Sequence, residues 1–300
     1  MASGFVAEAL KFHGLTADDA IVAPPRRGTV SMYSKGRRHM RAGLITISFA
    51  GWAALAMAAE PARDVAPTGT LRVTFLGSNP TQGRVDSAGG EVTGMVRELA
   101  EGLGKKLGVP VKITPLDGVP AVLESIRTHQ ADIGFVAADP SRASEVDFSQ
   151  TYLLGWASYM VPVASTLHTV KEVDRPGIRV AATPGDSPGL FLTRNLKNAT
   201  FLPVRGMDEA VGMLERGEVQ GYATNRQRLL QIVAADARFR VLDDNYFAVQ
   251  QAIAVPKGNS AALDAVNRFL DEAKASGLID AAIRRAGLAG AADPAPPRAR

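Results

Sequence analysis

The chain has 300 residues, 46% of them hydrophobic, and a formal net charge of +4 at pH 7. This length allows one large domain or two smaller ones, and the composition is typical of a soluble protein with a substantial core. The sequence contains no cysteine, which excludes disulfides, thiolate metal sites and a cysteine nucleophile. The four His are scattered without metal-ligand spacing, so we expect neither a metal site nor a cofactor.

The positive charge is concentrated near the N-terminus. Residues 1–59 contain seven Lys or Arg and three Asp or Glu, and they therefore account for the whole excess of +4. The rest of the chain is formally neutral and has no charge excess that would attract nucleic acid. We expect no nucleic-acid partner.

Residues 40–59 are typical of a secretory signal peptide. Basic residues at positions 35–41 precede an uncharged stretch over residues 42–59, and Ala56-Met57-Ala58 offers the small residues that a signal peptidase requires. The stretch is only weakly apolar, which favours cleavage over the alternative, a membrane anchor. We expect export of the mature chain to the periplasm.

The residues before the signal peptide bear on where translation starts. A signal peptide begins at the initiator methionine, yet residues 1–39 precede this one or overlap its basic end. We expect translation to start at Met32 or Met40, and residues 1–39 to be a mis-assigned or dispensable extension.

Strands and helices alternate after a Pro- and Ala-rich linker at residues 60–68. The run LRVTFL predicts a strand over residues 71–76. Apolar residues at helical spacing from Met95 to Leu107 predict an amphipathic helix over residues 92–107, which ends at Gly108. Further predicted elements are strands at 111–116 and 131–138 with a helix at 120–130 between them.

The alternation restarts after a long apolar strand predicted over residues 152–164. Predicted strands follow at 178–183, 199–204, 219–224, 239–244 and 249–259, and predicted helices at 186–197, 207–217, 226–235 and 260–277. This order implies parallel pairing in an α/β layer fold. The composition of residues 289–300 predicts a disordered tail.

The predicted elements divide into two α/β units of similar size. We expect lobe 1 to comprise residues 69–162 and 250–288, and lobe 2 to comprise residues 163–249. The two chain crossings between the lobes would form a hinge, and a cleft between hinged lobes suits ligand capture. Polar loops at residues 138–142 and 183–189 each follow a strand, at the sheet edge where open α/β folds bind ligands.

Several segments occur in a characteristic order across residues 69–288. They include GEVTGMVRELAEGLGKKLGVPVKI, ADIGFVAADPSRASEVDFSQTYL, IRVAATPGDSPGLFLTRNL and QAIAVPKGNSAALDAVNRFLDEAKASGLI. Together they resemble the periplasmic solute-binding proteins of family 3, which serve ATP-binding-cassette importers, mostly for amino acids. The resemblance implies a type II two-lobe α/β fold, in which each lobe is a sheet flanked by helices and two crossings form the hinge.

The same resemblance implies a function. A periplasmic monomer would capture a small carboxylate-bearing solute, an amino acid or a related compound, between its lobes. It would then present this ligand to the membrane permease of an importer and would not act as an enzyme.

The resemblance also assigns roles to individual residues. Arg142 falls on the arginine that binds the ligand's carboxylate in the family, and its planar guanidinium can grip a carboxylate bidentately. Gly185, Asp186 and Ser187 fall on the turn at a helix start that contacts the same carboxylate, where the helix N-terminus favours an anion. Considered alone, Asp186 is the expected cap of that helix.

Several positions depart from the family pattern. Asn225 stands where the family has an aspartate for the ligand's ammonium, and an uncharged amide cannot balance a buried ammonium as a carboxylate would. Asp186 or Asp139 could take that role instead. Ala138 replaces a small hydroxyl residue, and Ser78 replaces an aromatic one. Either the ammonium is held differently, or the ligand has none.

Two other functions are open to the same scaffold. An enzyme of the kind represented by the dehydratases that resemble these proteins would need a general acid, for which Asp139 and Asp186 are the candidates. A ligand-sensing module would act on a separate periplasmic partner. We expect Arg226 and Arg228 to lie on a solvated helix face; of the two, Arg226 could line the cleft because it follows Asn225.

Overall fold

The computed structural model describes residues 62–86 and 90–297. The predicted extension and signal peptide, residues 1–59, lie outside these ranges. In the part of the chain that is described, no helix has the length and apolar character needed to cross a membrane.

Helices and strands alternate along most of the described chain. The strands are β1 (Leu71–Leu76), β2 (Arg84–Val85), β3 (Val92–Thr93), β4 (Val111–Leu116), β5 (Ile133–Ala137), β6 (Val146–Phe148), β7 (Leu153–Pro162), β8 (Arg179–Ala182), β9 (Thr200–Pro203), β10 (Gly221–Asn225), β11 (Phe239–Val241), β12 (Phe247–Pro256) and β13 (Ala292–Pro294). The helices are α1 (Met95–Leu107), α2 (Val119–Arg127), α3 (Ser187–Asn195), α4 (Met207–Glu215), α5 (Arg226–Ala235), α6 (Ser260–Ala275) and α7 (Leu278–Arg285). Two 3₁₀ turns lie at Pro140–Arg142 and Val170–Glu172.

Helix α1 shows how the pattern of apolar residues determines these elements. Its apolar stripe is buried, and it ends at Gly108, whose left-handed conformation (φ 71°) directs its N–H to the last helical carbonyls. The helix begins later than the predicted residue 92, because Val92–Thr93 pairs with β2 and Gly94 (φ 98°) separates that strand from the helix.

Eleven of the described strands form one sheet. Its main path runs β4-β1-β5-β12-β7-β10-β8-β9, while β6 pairs with β12, and β11 and β13 pair with β7. Strand β1 is parallel to β4 and β5, and β8 is parallel to β9 and β10. The predicted α/β fold with parallel pairing in each half is confirmed.

The long strands β7 and β12 join the two halves of the sheet. β12 pairs with β5 through residues 251–254 and with β7 through residues 247–251. β7 then pairs with β10 through residues 157–160. Two antiparallel strands therefore carry the chain between the lobes, which is the two-crossing arrangement. β7 acquires its β10 partner at Ala157, before the predicted boundary at residue 162, and the lobe boundaries stay a prediction.

Each half has its own apolar core. On the β1 side, Phe75, Leu99 and Ile133 pack with Phe269 of α6. On the β8 side, the ring of Tyr159 packs against that of Tyr246 with their centroids 4.6 Å apart, in a second cluster that includes residues of β8 and α3. Because the cores are separate, the contacts that join the lobes across the cleft can be polar.

The prediction of a disordered tail at residues 289–300 is wrong for residues 289–297. Strand β13 pairs with residues 153–155 of β7, and Trp156 Nε1 donates a hydrogen bond to Asp293 Oδ2 at 2.8 Å. Ala292 and Ala295 are buried. The Ala- and Pro-rich composition of this segment predicts disorder. The segment is ordered because its backbone pairs with an edge of β7, and composition does not reveal such a pairing. Residues 298–300 lie outside the described chain.

Deleting residues 291–300 should destabilise the protein, because it removes the backbone hydrogen bonds of β13 and uncovers the edge of β7. We expect the free energy of unfolding to fall by about 2 kcal/mol. The melting temperature should then fall by roughly 4–8 °C, as followed by circular dichroism. Deletion of residues 298–300 alone is the control and should change nothing. Equal melting temperatures for both truncations and the full chain would show that β13 contributes no stability.

Candidate functional site

A cavity lies between the two halves, where strands from both sides end and β12 crosses. The space among its lining residues, including its open mouth, is about 440 Å³. Five of the eight predicted site residues line it: Ser78, Arg142, Asp186, Ser187 and Asn225. Ala138, Asp139 and Gly185 do not. The cavity therefore brings together the two polar loops that were predicted at strand ends.

Arg142 is held at the base of this cavity by the 3₁₀ turn that follows β5. Only 4% of the residue is exposed. Its Nη1 donates to the carbonyl of Ala137 and its Nη2 to the carbonyl of Gly185, both at 2.7 Å. Gly185 adopts φ 81°, a left-handed conformation that favours glycine, in the turn that presents this carbonyl.

Arg142 has acidic neighbours, but none of those described is bonded to it. Burial lowers the pKa of Arg142, while the nearby charges of Asp139 and Asp186 oppose that effect. Within residues 62–86 and 90–297, no carboxylate forms an ion pair with Arg142. A guanidinium has more N–H donors than the two carbonyls use. The remaining donors can serve an anionic ligand.

Asp186 precedes helix α3 but does not cap it. Its side chain accepts no hydrogen bond from the first turn of the helix, so the expected capping role is wrong. Burial raises the pKa of Asp186, while the charges of Arg228 and Arg142 act in the opposite direction. Next to it, the buried Oγ of Ser187 has no hydrogen-bond partner among the described residues. Both side chains are therefore available to a ligand at this helix start.

Gln251 presents an amide donor whose direction is determined by a relay of hydrogen bonds. The backbone N–H of Leu76 donates to Gln82 Oε1 at 3.1 Å, so Gln82 must use its Nε2 to donate to Gln251 Oε1 at 3.0 Å. Gln251 is fully buried, and its Nε2 has no partner in the described part of the chain. The amide group thus offers N–H donors at the cavity wall.

The end of β10 and the start of α5 form the opposite wall. The Oδ1 of Asn225 is buried and unpaired within the described residues. Arg228 lines the cavity, whereas Arg226 donates to the carbonyl of Leu242 at 2.8 Å and to Asn245 Oδ1 at 3.1 Å. The expectation for these two arginines is wrong. Residues two positions apart on a helix are separated by about 200° of rotation, so Arg226 and Arg228 cannot share a face.

Asp139 is bound elsewhere. It accepts hydrogen bonds from the backbone N–H and the Oγ of Ser141, at 3.0 and 2.7 Å, and from Arg194 of α3, at 3.1 and 2.7 Å. Burial raises the pKa of Asp139, but these hydrogen bonds outweigh it and hold the pKa at about 2. Asp139 therefore joins the loop after β5 to the other lobe. Ala138 is also occupied, since its N–H donates to the carbonyl of Gln250.

Sequence reasoning missed five polar residues of the cavity wall: Asn79, Gln82, Thr224, Arg228 and Gln251. Two signals point to some of them. The polar loop that holds Asn79 and Gln82 follows strand β1, at the same sheet edge as the predicted loops. Gln251 belongs to a pair of polar residues, Gln250 and Gln251, within an otherwise apolar strand. In the described chain, no group of acidic and His side chains is placed to hold a metal ion.

Comparison with known proteins identifies the family. The sequence model described as bacterial extracellular solute-binding proteins, family 3, matches residues 71–287. The chain belongs to this family. This finding confirms the resemblance noted in the sequence and agrees with the two-lobe fold and its cleft.

The solute-binding protein is also similar to individual relatives. A glutamine-binding protein of Geobacillus stearothermophilus is 27% identical over 52% of the chain, and this match spans only 61% of the relative's length. The L-cystine-binding protein TcyJ of Escherichia coli strain K12 is 26% identical over 71% of the chain and 80% of that protein. A structure from Wolinella succinogenes, a putative binding component of an ABC transporter complexed with lysine, superposes with a TM-score of 0.64. It is 23% identical and covers 73% of this chain and 95% of its own.

The ion pair between Asp139 and Arg194 should stabilise the solute-binding protein with its lobes in contact. We expect Asp139→Asn and Arg194→Gln each to weaken ligand binding by about 3- to 10-fold, and the double variant to lose little more than either one. Titration calorimetry of the four proteins measures this coupling.

The pH dependence of the same contact has a definite sign. Because the pKa of Asp139 lies below its ordinary value, the contact is fully present at neutral pH and is lost as the pH falls from about 4 towards 2. In the calorimetric comparison of the four proteins, additive losses of ligand affinity in the double variant would show that Asp139 and Arg194 act independently.

Proposed function

We propose that this solute-binding protein captures a small carboxylate-bearing solute, an amino acid or a related compound, in the cleft between its lobes. The permease of an ATP-binding-cassette importer would receive the ligand. Membership of the family supports this role, as do relatives named for glutamine and cystine binding. We further propose that the protein is exported by its predicted signal peptide and works in the periplasm as a monomer.

The observation that carries the proposal is the buried guanidinium of Arg142. Removing a cation from water costs several kcal/mol unless an anion and hydrogen bonds compensate. Two backbone carbonyls supply part of that compensation. A ligand carboxylate would supply the rest through a charge-assisted contact.

Polar atoms of the surrounding wall support the same conclusion. Ser187 Oγ, Gln251 Nε2 and Asn225 Oδ1 are buried and unpaired within the described residues, and each such group costs about 1–3 kcal/mol when nothing satisfies it. They come from α3, β12 and β10 and belong to one cavity. A single small polar ligand could satisfy all three.

Of the two acidic residues considered as general acids, Asp139 is unsuited to that role. Asp139, with a pKa of about 2, is ionised at neutral pH and bound to Arg194, so it cannot donate a proton to a substrate. Because the family and the named relatives are solute-binding proteins, we propose that the ligand leaves the protein chemically unchanged. Mass spectrometry of a ligand recovered after binding tests this point; a product of different mass would contradict it.

Arg142→Ala should weaken ligand binding strongly, because it removes a charged contact from a buried position. We expect a loss of at least ~2 kcal/mol, or about 30-fold in the dissociation constant. Ligands are first found by a thermal-shift screen of amino acids, small carboxylates and polyamines, on protein that has been unfolded and refolded to remove bound solute. A ligand at 100 times its dissociation constant should stabilise by about 2.7 kcal/mol.

Arg205→Ala is the control for loss of an exposed arginine, since the side chain of Arg205 is 95% exposed and lies in the other lobe. It should leave the affinity unchanged. Equal affinities for Arg142→Ala, Arg205→Ala and the natural protein would contradict the role of Arg142. A screen in which no carboxylate-bearing compound stabilises the protein would contradict the proposed function itself.

A further inference from the structure

The charged side chains of the cavity do not balance. Among the described residues that line the cavity, the charged ones are Arg142, Arg228 and Asp186. One positive charge is therefore left uncompensated. Asn225, on the same wall as Arg228, contributes no charge. A ligand that matches this wall carries a net negative charge.

We propose that Arg228 is a second anion-binding residue, and that the ligand is an acidic amino acid or a similar amino dicarboxylate. This inference rests on the proposed function and narrows the class of solute. Arg142 would bind one carboxylate, Arg228 the other, and Asp186 the ammonium. Such a ligand has a formal charge of −1, which neutralises the lining.

The positions of the three charges suit one ligand that spans the cleft. Arg142 comes from the turn after β5 in one half, and Arg228 comes from the first turns of α5 in the other. Asp186 precedes α3 and lies within electrostatic range of both guanidinium groups. No ion pair with a carboxylate engages either arginine in the described part of the chain.

The neutral groups add donors where an anion would lie. The Nε2 of Gln251 is presented by the relay through Gln82, and Ser187 offers a hydroxyl at the start of α3. A cationic ligand would face Arg228 with a like charge, and a neutral ligand would leave the excess charge in the cleft unmatched. The lining thus favours acidic ligands over their amides and over basic amino acids.

The test compares ligands of one shape and different charge by titration calorimetry on stripped, refolded protein. The probes are L-glutamate and L-aspartate, their amides L-glutamine and L-asparagine, the amine-free glutarate and succinate, and L-arginine. We expect one acidic amino acid to bind at least about 10-fold more tightly than its amide. L-arginine should bind more weakly than either.

Two variants separate the roles of the charged residues. Arg228→Gln should weaken binding of the acidic amino acid by about 10-fold or more and leave its amide nearly unaffected, so that the preference disappears. Asp186→Asn should weaken binding of the acidic amino acid but not of the matching amine-free dicarboxylate. Arg205→Gln is the control for loss of an exposed arginine in the same lobe. Melting temperatures without ligand establish that each variant is folded.

The possible outcomes distinguish this inference from the proposed function. If an amide or L-arginine binds as tightly as the acidic amino acid, or if Arg228→Gln weakens acid and amide equally, the inference is wrong. If the amides or L-arginine bind and their binding still depends on Arg142, the proposed function stays intact. If none of the probes and no compound of the wider screen binds, both are wrong.

Discussion

The buried guanidinium of Arg142, which no carboxylate of the described residues pairs with, is the constraint on which the cleft depends. Arg142 is nearly inaccessible to water, and its hydrogen bonds go to the carbonyls of Ala137 and Gly185. Because these carbonyls come from different halves, the contact that partly solvates the guanidinium also brings the lobes together. An anionic ligand would complete the compensation, so that binding and lobe contact would be two results of one electrostatic requirement.

The fold allows this requirement to control an opening and closing motion. Separate apolar cores lie in the two halves, and the strands β7 and β12 connect them. The contacts across the cleft include polar ones, such as the pair Asp139–Arg194, and such contacts can be broken at a lower cost than an apolar interface. The C-terminal strand β13 extends the sheet at the connecting strand β7, and it thus supports the part of the molecule about which the lobes would move.

The sequence predicts the features that depend on local pattern. Apolar spacing locates the strands and helices, and the rule that ligands bind at strand ends selects the loops that hold Arg142, Asp186 and Ser187. It fails where a residue's partner is distant in the chain. From its position in the sequence Asp139 is a candidate for ligand binding, but the structure pairs it with Arg194. Likewise, the order of the Ala- and Pro-rich tail depends on pairing with β7. The sequence also suggests Arg226 as the arginine that could line the cleft, whereas Arg228 lines it and Arg226 bonds to the carbonyl of Leu242. This outcome depends on which face of the helix meets the cleft.

The most direct test of this account is a crystal structure of the protein with a bound ligand from the solute screen. We expect an anionic group of the ligand within hydrogen-bond distance of the Arg142 guanidinium, with Ser187 and Gln251 donating to the same molecule. This expectation would be contradicted by a ligand that occupies the cleft while Arg142 keeps only its bonds to Ala137 and Gly185.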